Sequence, residues 1–391
     1  MSEKVYFAGV FITYTYWLFL LSIAVQCGFA LYFFFRIFTH PPKTHTLNHK
    51  DLGITPSQKV SIIICAKNEA SHLQTNLPAI LAQRYTNDAG IPQYEVIVVN
   101  DASTDDSANI LQFFQQQHGH LKVVNIPTGL PRELPGKKFA LSKGLEAANN
   151  KWLVLTDADC SPASDEWLQN MIAPLCQGKQ IVAGYGGFQK AKGFLNTFIR
   201  WETMHTFLQY STYTWAGTPY MAVGRNMACT KTILQQAQRT DIWALLPSGD
   251  DDMLMRTMAT AENTAIVYNP ASFTLSHAKS NWQAWKLQKQ RHLSTGKYYR
   301  TYIKLALGKY ALFHALMWLA FLALLFTPFR VIVAAIMLGR CLMYWGLWAF
   351  TLQRLQEKKI LLYLPFCDIG WALYNFIFAP YIIWKNKQQW K

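Results

Sequence analysis

Acidic residues cluster at three places in the 391-residue chain, at spacings that suit phosphate and metal chemistry. Asp157-Ala-Asp159 follows the apolar run Trp152 to Thr156. On an extended backbone, positions i and i+2 project to the same side. Two adjacent carboxylates repel unless a cation sits between them, and oxygen-only ligation suits Mg²⁺ or Mn²⁺, which keep positions open for the phosphates of a nucleoside diphosphate. The second cluster, Gly249-Asp250-Asp251-Asp252, precedes an apolar helical stretch. A helix N-terminus favours acids by ~0.3–1 kcal/mol each. Three at once exceed what capping needs, and their crowding raises at least one pKa, as a general base requires. The third is Asp101 in Asn100-Asp101-Ala-Ser-Thr-Asp-Asp106. It can hydrogen-bond a base or ribose, or close an Asx turn while Ser103 or Thr104 caps the next helix. Gln288-Lys-Gln-Arg291-His292, after Trp282 and Trp285, reads by itself as a solvated helical surface.

Short β-branched runs that alternate with helical patterns must hold these groups. Val60 to Cys65, Glu95 to Val99, Leu121 to Ile126, Trp152 to Thr156 and Gln180 to Tyr185 read as buried strands. Glu69 to Gln83, Asp105 to Gln117 and Lys137 to Ala148 read as helices. That βαβα alternation predicts an α/β fold, a largely parallel sheet with helices on both faces and ligands at the carboxyl ends of its strands.

The flanks have another composition. Val5 to Phe35 contains no charge and is bracketed by Lys4 and Arg36, long enough to span a bilayer and too long for the core of a cleaved signal peptide. Apolar character returns over Tyr310 to Phe329, Val331 to Gln353 and Ile360 to Trp384. The third of these carries Asp368, Pro365 and Pro380 and reads equally as a re-entrant or interfacial helix, giving three or four crossings. The chain divides into an anchor over 1–40, an α/β domain over 59–296 and membrane helices over 309–385. Arg36, Lys43 and the Arg354, Lys358, Lys359 loop place the domain on the cytoplasmic side of the cell (inner) membrane, whereas a third carboxyl-terminal crossing would export Lys385, Lys387 and Lys391. Arg340 and Asp368 either pair within the apolar region or reach separately to its edges. Phe194 to Tyr220 reads as an amphipathic segment on the membrane surface, walling an acceptor site, or as a packed core helix. The net charge of +15 fits anionic lipid and a phosphate-bearing substrate, and no nucleic-acid module is visible. Seven scattered cysteines without a CxxC pair suggest neither zinc nor a disulfide framework.

SIIICAKNEA (61–70), VVNDASTDDS (98–107), GKKFAL (136–141), LTDADCSP (155–162), GRNMA (224–228), GDDDMLM (249–255) and QKQRH (288–292) together resemble family 2 glycosyltransferases of the GT-A fold. The resemblance runs from about Val60 to Arg291, and the flanking helices resemble the membrane-bound branch that includes ceramide and carotenoid glycosyltransferases and polysaccharide synthases. It implies a nucleotide-sugar donor, a UDP-hexose in the first instance, with Asp101 on the nucleoside and Ala66, Asn68 and Glu69 edging that pocket. It implies Mg²⁺ or Mn²⁺ on Asp157 and Asp159, and donor phosphates at Lys137 or Lys138. In GDDD the family's acid pair falls on Asp250 and Asp251, making Asp251 the general base. Gln288 and Arg291 match QxxRW, with Arg291 neutralising the leaving diphosphate. His292 stands where that motif has Trp, which argues for transfer of a single sugar over processive polymerisation. The resemblance implies direct displacement with inversion, and a wall formed by Phe194 to Tyr220 at the membrane surface favours a lipid acceptor. A non-catalytic binding protein would be expected to have lost an acidic motif. His277 is either a further metal ligand or structural.

Overall fold

A computed structural model describes residues 3–42, 58–245 and 249–383. Lys43, Trp384, Lys385, Lys387 and Lys391, used above to argue topology, lie outside the described residues. In chain order the elements are α1 (Glu3–Thr39), β1 (Val60–Ala66), α2 (Ala70–Leu81), β2 (Tyr94–Asp101), α3 (Ser107–Gln117), β3 (Leu121–Ile126), α4 (Lys137–Ala147), β4 (Trp152–Asp157), β5 (Cys160–Pro162), α5 (Trp167–Cys176), β6 (Ile181–Gly184), β7 (Gly186–Phe188), α6 (Phe194–Trp215), β8 (Met227–Thr230), α7 (Lys231–Gln238), α8 (Asp250–Met258), β9 (Thr264–Val267), β10 (Thr274–Ser276), α9 (Trp282–Leu293), α10 (Thr301–Leu324), α11 (Arg330–Arg354) and α12 (Leu364–Ile383).

The main sheet has the order β3-β2-β1-β4-β8-β6-β9, with a small sheet β5-β10-β7 beside it. β3, β2, β1 and β4 are mutually parallel, and β8 runs antiparallel to both β4 and β6. Successive side chains of a strand face opposite ways, so a strand covered on both sides must be apolar throughout. β1 shows this: Ile63 and Cys65 enter the core shared with α4 and α6, while Ile62 and Ile64 pack with Leu73 and Leu77 of α2 and Met171 of α5. Chain order reverses between β1 and β4, whose carboxyl ends lie in register at Cys65 and Asp157. That reversal opens the crevice in which an open α/β sheet binds ligands.

α6 is a core helix, and the surface-lying reading of Phe194 to Tyr220 is corrected here. Most of its residues are buried, and it packs between the sheet and α1 and α12. A helix apolar nearly all round finds no water-facing side. Its two charged residues are paired instead: Arg200 donates twice to Glu357, and Glu202 accepts from Lys289.

Four helical stretches among the described residues are long and apolar enough to cross a membrane: Gly9–Thr39, Thr301–Leu324, Arg330–Arg354 and Lys358–Phe378. Phe19 of α1, Met317 and Leu324 of α10, and Val333 and Met337 of α11 share one apolar cluster. Arg340 and Asp368 are paired: both guanidinium Nη atoms donate to the Asp368 carboxylate, and His314 Nε2 meets its Oδ1 at 3.0 Å. Arg36 donates to the Trp215 carbonyl at 3.0 Å and Arg354 to that of Ile37, so the ends of α1 and α11 lie together against the α/β domain.

Candidate active site

One cavity of about 270 Å³ opens at the carboxyl ends of β1 and β4. Of the residues singled out above, Glu69, Lys137, Asp157, Asp159, Asp250, Asp251, Gln288 and Arg291 line it. Ala66, Asn68 and Asp101 do not.

The last three form a separate edge beside it. Ala66 ends β1 and pairs in register with Asn100. Asn68 takes a positive φ of 56°, its N–H donates to Ser103 Oγ at 3.0 Å, and its Oδ1 accepts the Thr104 N–H at 2.8 Å. Ser103 and Thr104 therefore tie two loops together and cap no helix; Asp105 Oδ1 takes the Ser107 N–H at the start of α3. Asp101 is fully buried and holds Arg132 through two hydrogen bonds of 2.5 and 3.0 Å. Arg132, in the loop before α4, carries no motif that would have marked it.

Asp157 and Asp159 are separated by a turn, not carried on one continuous strand as expected, since β4 ends at Asp157 and β5 begins at Cys160. Their oxygens nevertheless fall, with the Cys160 sulfur, within 4.8 Å of one another. Burial and Asp159 raise the Cys160 thiol well above its ordinary value, so it stays protonated and is a poor ligand. What remains is a hard carboxylate pair, which fits Mg²⁺ or Mn²⁺. His277 is exposed and lies outside this group, its ring 6.4 Å from that of His72.

The two lysines separate cleanly. Lys137 reaches Asp157 Oδ1 at 2.5 Å; burial opposes its charge, but Asp157 and Asp250 outweigh that and hold it well above the ordinary lysine value. Burial likewise works against the Asp157 anion, and Lys137, Arg225 and Arg291 overcome it, keeping Asp157 below the usual carboxylate value. Lys138 points away, donating to the Trp243 carbonyl, and its pKa is lowered by burial.

α8 starts with all three acids in its first turn. Asp251 Oδ2 accepts the Gly224 N–H at 2.7 Å and Oδ1 the Asp252 N–H at 2.9 Å. Burial and the neighbouring Asp250 nonetheless push Asp251 up to about 6. Asp252 turns inward to Thr295 and Tyr299, and burial with the Asp251 charge raises it well above the carboxylate range. One carboxyl is thus poised near neutrality, and its neighbour is biased toward the protonated state. Gly249 sets the entry to α8 with φ of 78°, and a Cβ there would meet Thr295 Cγ2 at 2.4 Å. Gly249→Ala is therefore expected to cost ~1–3 kcal/mol in backbone strain alone, before the clash. A lowered melting temperature together with lost transfer would show it; an unchanged protein would mean the α8 entry relaxes freely.

Facing the acids are cations that the motifs marked only in part. Arg225, Lys279 and Arg291 line the cavity without a carboxylate partner among the described residues. Arg225 lies 4.3 Å from the Phe188 ring centre and keeps a buried Nε unbonded. His292 is held well below the usual imidazole value by enclosure and by Lys289, Arg291, Arg225 and Lys279. With Lys67, Lys137 and Lys289, six lysines and arginines line the cavity next to a metal-fitting carboxylate pair.

The model of glycosyl transferase family group 2 matches residues 152–355, more than half of the chain, and that of glycosyl transferase family 2 matches residues 61–235. The chain is a family 2 glycosyltransferase. This glycosyltransferase is 27% identical over 245 residues to the probable glycosyltransferase YdaM of Bacillus subtilis (strain 168), covering 61% of the chain and 56% of that protein. It is 33% identical over 124 residues to the dolichyl-phosphate beta-glucosyltransferase of Drosophila melanogaster, covering 31% of the chain and 37% of that protein. The chain thus matches little more than half the length of these relatives, or less. Among solved structures it is similar to the mannosyltransferase PcManGT from Pyrobaculum calidifontis, in complex with GDP-Man and Mn²⁺, with TM-score 0.54 and 18% identity over 92% of this chain and 99% of that one. This last likeness is one of fold, the GT-A arrangement of a mostly parallel sheet.

Proposed function

We propose that the chain transfers a single sugar from a nucleotide-diphosphate sugar, a UDP-hexose in the first instance, to a lipid acceptor, with inversion at the sugar carbon. The observation that carries this reading is one cavity joining a metal-fitting carboxylate pair, six lysines and arginines and a buried carboxylate poised at about 6. The edge formed by Ala66, Asn68 and Glu69 would hold the nucleoside, and Asp101 would join it only when Arg132 releases its carboxylate. Asp157 and Asp159 would hold Mg²⁺ or Mn²⁺, which supplies charge neutralisation to the diphosphate. Lys137, Arg225 and Arg291 stabilise the same charge as it develops, Arg291 by a bidentate contact. Asp251 takes the proton of the acceptor hydroxyl, the acceptor oxygen bonds to the anomeric carbon, and that carbon's bond to the diphosphate breaks with its electron pair leaving on the phosphate. Gln288 and Asp250 orient the reacting groups.

The lipid reading rests on how closely the cavity adjoins the apolar helices. Ile199, Glu202, Thr203, Thr206, Phe207 and Tyr210 of α6 line the cavity, while other residues of the same helix pack on α1 and α12. The Drosophila relative is likewise named for a lipid acceptor, in its case a phosphorylated one, dolichyl phosphate. We place residues 1–40 and 309–385 in the cell (inner) membrane and 59–296 at its cytoplasmic face, following the positive-inside argument.

The test is a donor screen on detergent-purified protein with Mg²⁺ or Mn²⁺, following nucleoside diphosphate release with and without membrane lipids. Lipid-dependent release with one hexose mass added to a lipid is the expected result. A ladder of masses would make the protein a processive synthase despite His292, and donor binding without release would make it a non-catalytic nucleotide-sugar-binding protein.

A further inference from the structure

The cavity is also lined by residues that the donor-binding assignment above does not use. Along α6, Ile199, Glu202, Thr203, Thr206, Phe207 and Tyr210 recur at three- and four-residue spacing, so they form one helical face. Met221 and Val223 line the same cavity and lead into Gly224, whose N–H holds Asp251. Asp251 and this face thus share one cavity, so a molecule lying against the face is placed to present a hydroxyl to Asp251. Its polarity is specific: Glu202 Oε2 accepts from Lys289, Glu202 Oε1 accepts from Thr206 at 3.3 Å, and the Thr203 hydroxyl has no partner among the described residues. Glu202 and Lys289 side chains are 7% and 13% exposed. Lys289 is thus neutralised where it stands, in contrast with Arg225, Lys279 and Arg291, which have no carboxylate partner among the described residues. α12 packs on α6, so this helix face borders the apolar helices.

We infer that the Glu202–Lys289 pair, with Thr203 and Thr206, is the acceptor subsite and that it selects an uncharged, hydroxyl-bearing lipid headgroup, glycerol or a sugar, over a phosphorylated one. A phosphate here would meet the Glu202 carboxylate and a lysine already engaged, whereas a polyol can donate to Glu202 and accept from Lys289 and Thr203 together. The inference rests on the cavity being a glycosyl-transfer site, yet its readout can be made independent of transfer.

Full-length protein in detergent would be examined by native mass spectrometry with dioctanoylglycerol and with dioctanoyl phosphatidic acid. Wild type should retain the neutral lipid in preference, and Glu202→Gln should weaken that retention by at least ~10-fold while freeing Lys289 to favour the phosphatidic acid. The double variant Glu202→Gln, Lys289→Met leaves no unpaired charge and guards against misfolding; it should bind neither lipid tightly. In the transfer assay, Glu202→Gln should raise the acceptor KM and leave the donor KM unchanged. Preference of the wild type for phosphatidic acid, or neutral-lipid retention unchanged in both variants, would overturn the inference. Absence of diphosphate release with these binding differences intact would instead count against the transferase reading.

Discussion

Asp251→Asn binds donor as the parent does and transfers sugar at least ~10²-fold more slowly, the low end of what loss of a general base costs. The substitution is close to isosteric. Its amide oxygen can keep the Gly224 hydrogen bond at the position of Oδ2, at the cost of the bond that Oδ1 accepts from the Asp252 N–H. What disappears is the basic lone pair. The same residue sets a pH signature: Asp251 must be ionised to take a proton, and burial with Asp250 has pushed it up to about 6, against the pull of two backbone N–H groups and Lys137. In the parent, kcat/KM should fall about tenfold per pH unit below that value and level off above it. The residual activity of Asp251→Asn should lack this acid limb. Equal activity of variant and parent, or an acid limb retained in the variant, would pass the base role to Asp250. Donor binding, followed by titration with the nucleoside diphosphate, separates either result from loss of the fold.

Much of the site was legible in the sequence because its parts are local. The strands that hold Asp101 and Asp157 announce themselves as uninterrupted apolar runs, since a strand covered by helices on both faces has no polar positions to spare. β1, β2, β3 and β4 fall within about two residues of the runs read from sequence. The three-residue strands β5, β7 and β10 carry no comparable pattern, so the small sheet that bends the chain between Asp157 and Asp159 was invisible and the pair was read as one extended segment. The choice between Lys137 and Lys138 was also beyond the sequence. Adjacent helical residues point about 100° apart, and only the packing of α4 decides which ammonium faces the cavity and which caps the Trp243 carbonyl. Arg132 on Asp101, Lys289 on Glu202 and Glu357 on Arg200 are 31, 87 and 157 residues from their partners. An ionisable residue inside an apolar stretch signals that a partner exists, but nothing local names it. For α6 that signal was present in Arg200 and Glu202, and it argued for a buried helix with paired charges over a helix lying on a surface.

Arg340→Leu should lower stability by ~3–5 kcal/mol, because it strands a buried carboxylate. Arg340 and Asp368 are 3% and 4% exposed, and His314 is the other polar group bonded to that carboxylate. The alternative to pairing is a bare anion among apolar helices, which insertion scales put at ~2.5–3.5 kcal/mol even with relief by water. Arg340→Leu combined with Asp368→Leu removes both charges and should recover most of the loss, so the two changes are strongly non-additive. Thermal unfolding of the detergent-solubilised variants measures this. Equal stability of Arg340→Leu and the parent would mean that water reaches Asp368 and that the pair is not a structural clamp. The functional consequence follows from the packing: α12, pinned to α11 by this pair, lies against α6 and α9, which carry Glu202 on one side of the cavity and Gln288, Lys289 and Arg291 on the other. On the proposed assignment, loosening it should disturb the acceptor side of the site before the nucleoside side, which that proposal places at the ends of β1 and β2. An acceptor KM that rises in Arg340→Leu while nucleoside diphosphate affinity holds would show that the membrane helices form part of the wall against which the acceptor is held.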